Sequence, residues 1–163
     1  MTGHDPLAEY RAALISRLEA QPTAFAALTR RLPEGDWHTH GAIDGLNLHQ
    51  LATHIRDAET RAFYPRIERI LAEDEPHLEP FPYHYWSIEH DYRVDEPLAD
   101  IVAAFSDAHL ALLTRLRALA VDDWSRVGFH PPSGPRTVMW WAERIHGHAA
   151  THLADLSRAL AAM

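Results

Sequence analysis

The chain has 163 residues, 47% of them apolar and 23% charged, which fits one globular domain spanning residues 1–163 whose core needs no covalent staples. A formal charge of −8 without a basic run excludes a phosphate-backbone partner, and no apolar run approaches the length that crosses a membrane, so neither nucleic acid nor membrane is expected. With no cysteine, any metal must be held by nitrogen and oxygen, and any reactive thiol must come from another molecule.

Taken in order, Met1-Thr-Gly-His-Asp-Pro shows no charged segment followed by an apolar one, so no signal peptide is read and a cytoplasmic location is the expectation. Asp5-Pro6 reads as an N-cap and first helical residue, since Asp accepts from free amides and Pro occupies a position that needs no donor. Leu7, Tyr10, Leu14 and Leu18 then recur at helical steps as helix 1. Pro22 is expected to interrupt or kink it, with Thr23 to Leu32 continuing as a second piece. Leu32 to Gly45, broken by Pro and Gly, reads as a connection. Helix 2 begins near Leu46 or Asn47 and runs towards Leu71, with Leu48, Leu51, Ile55 and Ala62 on one stripe and His54 on its flank. His49 points nearly the other way and reads as a surface residue. Pro65 predicts a kink near the middle.

Glu73 to Glu96 is polar, aromatic and interrupted by Pro76, Pro80 and Pro82. It reads either as a lid or binding loop or as a crossover packed by its own aromatics. Helix 3 opens at Asp95-Glu-Pro97 and extends through Ile101, Phe105, Leu112 and Leu116 to about Ala120. A lone His109 on it reads as a satisfied core or edge residue. Asp122 to Pro135 is the last connection, and helix 4 starts near Arg136 or Thr137. Four long amphipathic segments with no convincing strand predict an all-α fold, a four-helix bundle with a long crossover between helices 2 and 3.

Helix 4 carries His148 and His152, one turn apart on one face. Taking 100° per residue, His152 falls within about 40° of the apolar direction and His148 within about 80°. Thirteen histidines in 163 residues yield about one such pair by chance, so the spacing alone decides nothing. The placement matters more: two imidazoles facing inward suit a shared divalent metal such as zinc, nickel, iron or copper.

The stretch His49-Gln-Leu-Ala-Thr-His-Ile-Arg-Asp-Ala-Glu59, together with His148-Ala-Ala-Thr-His-Leu153, resembles the DinB-like proteins. Trp37 before helix 2 and the Pro- and Gly-containing turn from Pro131 to Pro135 fit the same pattern. The resemblance covers nearly the whole chain and implies a four-helix bundle with a divalent transition metal (zinc, nickel, iron or manganese) on His54, His148 and His152. It departs at Asp155, where many members have Gln, which leaves any substrate contact at that position unsupported.

Three imidazoles leave at least one coordination position open, as catalytic sites do. Ala149 follows His148 where zinc proteases place a general-base Glu. Asp57 and Asp155, each three residues beyond a candidate ligand, are the candidate catalytic carboxylates, as base or as partners that orient a ligand ring; the orienting role is favoured for Asp155. The resemblance further implies a metal-dependent enzyme, with transfer of a low-molecular-weight thiol cosubstrate to a small electrophile as the specific expectation. The alternatives are a metal-dependent hydrolase and a non-catalytic metal- or ligand-binding stress protein. Tyr83, His84, Tyr85 and Trp86 are expected at the mouth of the site. Metal loss is expected below about pH 6, because ligating imidazole must be neutral. A homodimer is expected from the family, with Trp140 or Trp141 as its surface.

Overall fold

The computed structural model describes residues 5–83, 89, 90, 92 and 94–163. Helix α1 spans Pro6–Thr29, opened by Asp5, whose carboxylate accepts from the amides of Leu7 and Ala8. The expected break at Pro22 does not occur. Leu14, Leu18, Gln21 and Phe25 are buried along one face on both sides of the proline. Packing of that face offsets the lost hydrogen bond and the ring's clash with the preceding turn. The stretch read as a connection contains a short helix, α2 (Glu34–Thr39), which buries Trp37 completely.

Helix α3 (Leu48–Asp57) starts at Asn47 in a reciprocal capping box with Gln50. It passes without a gap into a π-helical stretch, Ala58–Phe63, and then into α4 (Tyr64–Ala72). Pro65 therefore sits in the first turn of α4, where a missing amide matters least. The irregularity falls just before it, as the widened turns of the π-helical stretch. His49 is fully buried, its Nε2 against the carbonyl of Glu96 at 2.8 Å and its ring stacked on His38, which corrects its reading as a surface residue. Helix α5 covers Leu98–Arg117 and α6 covers Val138–Ala161, the latter capped by Thr137.

A two-stranded antiparallel hairpin, β1 (Val127–His130) and β2 (Gly134–Thr137), lies between α5 and α6. Strands of four residues interrupted by Gly128 and Pro135 carry no alternation long enough to read in a sequence. Phe129 also exchanges backbone hydrogen bonds with Pro76 and Leu78 on its outer side, which ties the start of the crossover to the hairpin.

Two buried clusters fill the bundle and fix the helix directions. One joins the first half of α1 (Leu14, Leu18) to α4, the end of α5 and the start of α6. The other joins Phe25 at the far end of α1 to α3, the start of α5 and the end of α6. The rod made by α3 and α4 is therefore antiparallel to α1, α5 is parallel to that rod, and α6 runs with α1. Two parallel neighbours in sequence need a long connection, which is the crossover from residue 73 to residue 97. Trp141 lies in the first cluster and is 1% exposed, so it forms no partner surface; Trp140 is half-buried. No helix among the described residues is long and apolar enough to cross a membrane.

Candidate metal centre

The two clusters meet at the end of α3 and halfway along α6, and there the bundle presents imidazoles instead of aliphatic side chains. His54 projects from α3, and His148 and His152 from successive turns of α6. One ring nitrogen from each falls within 4.8 Å of the other two. The Nε2 atoms of His54 and His148 are 3.1 Å apart. Two bare lone pairs repel at that distance, so a ring proton or a cation must lie between them. Ligands at about 2.0 Å from a zinc-sized ion are themselves roughly 3 Å apart, so this spacing suits a shared cation.

The electrostatics point the same way. Burial, with repulsion from His152, lowers His54 to about 4, and burial, with repulsion from His54, His152 and Arg144, lowers His148 to about 2. Both rings are neutral at physiological pH and keep a lone pair free. His152 sets its own tautomer: Nδ1 lies 3.0 Å from Oδ2 of buried Asp155 and donates to it, which leaves Nε2 as the free atom. The other oxygen of Asp155 is engaged by Arg158. The nitrogen-only donor set fits a borderline divalent transition metal.

Asp155 thus occupies the position expected of a residue that orients a ligand. Replacing it with Asn keeps the shape but weakens the acceptor that fixes the ring. Asp155→Asn is expected to weaken metal affinity 10–100-fold while the far-ultraviolet circular dichroism stays native. Competition against a chromophoric chelator measures it, and unchanged affinity would refute the orienting role.

Asp57 is placed differently. Its carboxylate meets Arg56 at 2.7 Å and Arg61 at 3.4 Å, and Arg56 forks onto Glu96. That network ties α3 to the segment before α5 and lies outside the lining of the cavity beside the imidazoles. A base role for Asp57 therefore has no structural support, although its charge favours the protonated form of His54.

The cavity has a volume of about 450 Å³. The hairpin tip, through His130, Pro132 and Ser133, forms one wall, and Pro80, Phe81 and Tyr83 form another. The Tyr83 ring lies 5.5 Å from that of His54, and burial pushes its phenol up to about 12. Its hydroxyl is buried and meets no hydrogen-bond partner among the described residues. His84, Tyr85 and Trp86 lie outside the described residues. Arg66, His130 and Arg144 line the cavity without having been singled out from the sequence, and Trp140, read there as a partner surface, lines it as well. Of the first three, only Arg144 had a legible signal, standing one turn before His148 on the same face.

A model of the DinB superfamily matches residues 17–156. A Bacillus pumilus (strain SAFR-032) protein named "Putative metal-dependent hydrolase" is 25% identical over 146 residues, covering 89% of this chain and 82% of that protein. The structure of YfiT from Bacillus subtilis, described as a probable metal-dependent hydrolase with an unusual four-helix bundle topology, superposes with a TM-score of 0.78 at 21% identity, over 97% of this chain and 90% of that one. The family match runs from within α1 to within α6 and spans both segments that bear the clustered imidazoles; the chain belongs to the DinB superfamily.

Proposed function

We propose that this protein is a metal-dependent enzyme in which His54, His148 and His152 hold a divalent cation at the base of the cavity. The observation that carries the reading is the convergence of three imidazole nitrogens within 4.8 Å beside a cavity large enough for a small substrate. A cation bound there supplies a Lewis acid that acidifies a bound water or thiol at neutral pH. Asp155 holds His152 in the ligating tautomer. Tyr83, kept protonated by its burial, offers a hydroxyl donor next to His54 for a substrate oxygen. Phe63, Phe81 and Trp140 exclude water from the substrate's apolar part.

Two nucleophiles suit this arrangement. Water gives a hydrolase, which agrees with the names of the Bacillus relatives. A low-molecular-weight thiol gives an S-transferase: sulfur bonds to an electrophilic carbon, the leaving group departs with its electron pair, and the thiol proton goes to solvent. The specific observation favouring the thiol is that none of the described residues lining the cavity is a carboxylate able to serve as general base, and the chain has no cysteine of its own. Monobromobimane with a panel of small thiols tests this reading, and p-nitrophenyl acetate tests hydrolysis. Turnover above background that disappears with chelator and in His54→Ala is the expected result. Turnover indifferent to both would overturn the proposal, and bound metal without either turnover would leave a binding protein.

A further inference from the structure

We propose that the cavity takes an organic anion, a small carboxylate whose charged end is held by Arg66 and Arg144 and whose apolar body lies against Phe63, Phe81 and Trp140. This rests on the reading of the cavity as the substrate site, and it adds the class of substrate. The chain as a whole carries a formal charge of −8, yet the described lining of the cavity includes two guanidiniums and no Asp or Glu. A concave site of one sign inside a molecule of the other focuses potential onto a ligand.

Arg66 is the stronger half of the observation. It is 8% exposed, its Nη2 donates to the carbonyl of Glu79 at 3.0 Å, and its guanidinium lies over the ring of Trp141 at 4.8 Å. No carboxylate pairs with it among the described residues, whereas Arg56, Arg61, Arg69, Arg115, Arg117 and Arg158 all have one. A guanidinium removed from water without a counter-charge is costly, and burial pushes Arg66 below the ordinary arginine range. A substrate anion would supply the missing charge. Arg144 stands at the cavity rim over Phe63, one turn before His148, and likewise lacks a carboxylate partner among the described residues. Both guanidiniums act on Tyr83, so their fields overlap within the cavity. Planar forks match a carboxylate. A phosphate would also draw backbone amides at a helix N-terminus, and that of α6 is capped by Thr137.

The probes are 3-phenylpropionate, its neutral amide and phenyl phosphate, titrated by calorimetry into chelator-treated protein and again after zinc loading. Wild-type protein is expected to bind the acid at least 10-fold tighter than the amide. Arg144→Met and Arg66→Met should each remove most of that preference, with Arg66→Lys restoring part of it. Arg69→Met, outside the cavity, should change nothing. Should Arg66→Met fail to fold, the exposed Arg144 still decides. Equal binding of acid and amide, or a preference that survives Arg144→Met, would overturn the proposal, and tighter binding of phenyl phosphate would overturn the carboxylate assignment. Protein that prefers the acid but takes up no zinc would sink the metal reading while leaving this one intact. Zinc uptake without acid preference would do the reverse.

Discussion

Replacing His54 or His152 with alanine is expected to abolish stoichiometric metal binding in protein produced without a histidine tag. Elemental analysis should give close to one equivalent for wild type and less than about a tenth for either variant, since losing a direct ligand costs more than the 10–100-fold lost with an outer partner. Metal addition should raise the Tm of wild type and leave both variants unmoved, because only a ligand bound to the folded state stabilises it. Undiminished metal in both variants would refute the ligand set.

The same substitution has a signature in metal-free protein. The folded His54 titrates at about 4, below the ordinary histidine value of about 6.5 in the unfolded chain. The unfolded chain therefore takes the proton first as pH falls. The associated stability is fully present above about pH 6.5 and is lost progressively towards pH 4, at up to about 1.4 kcal/mol per pH unit for each such ring. His148, lowered to about 2, has the same sign. Urea denaturation between pH 6.5 and 5 should show wild-type stability falling and the His54→Ala curve falling less steeply. Because protons compete for these two buried rings only in more acid solution, metal loss is expected to begin at a lower pH than the value of about 6 that ordinary imidazoles imply.

The bundle and the pairing of His148 with His152 were legible in the sequence because both depend on unbroken helical periodicity, whereas His54 joined the pair only through the resemblance to DinB-like proteins. His148 and His152 need only one turn of α6; His54, on the flank of the stripe that carries Leu51 and Ile55, has no local signal that ties it to them. Arg66 was not legible, for a geometric reason. In a regular helix it stands about 120° round from His54, on a face that reads as surface; the wider π turns from Ala58 to Phe63 retard it by roughly 80° and bring it to the same side. Nothing local in Ala-Glu-Thr-Arg-Ala-Phe announces those turns. Pro22 misled for a related reason: the penalty of a proline is local, whereas the packing of Leu18 and Phe25 that outweighs it is tertiary. His49 failed because its partner, the carbonyl of Glu96, belongs to the segment before α5 and is distant in sequence.

The π stretch also carries a buried contact between an acid and a base. Glu59, 2% exposed within it, contacts His109 of α5, which is fully buried and stacked on Phe105. Burial raises Glu59 above the ordinary carboxylate range, with His109 opposing the shift, so the contact is a paired acid and base removed from water. Removing one partner strands the other. Glu59→Leu and His109→Leu are each expected to cost about 3–5 kcal/mol in urea denaturation, while the double variant, which buries two apolar groups of similar volume, should recover most of that loss. Single losses that simply add in the double variant would exclude a coupled pair. Metal stoichiometry separates support from chemistry: the pair lies outside the cavity lining, so a folded double variant should still bind one equivalent. If it is stable but empty, Glu59 and His109 hold the irregular turn that aims His54, and the widened helix is part of the site rather than a neighbour of it.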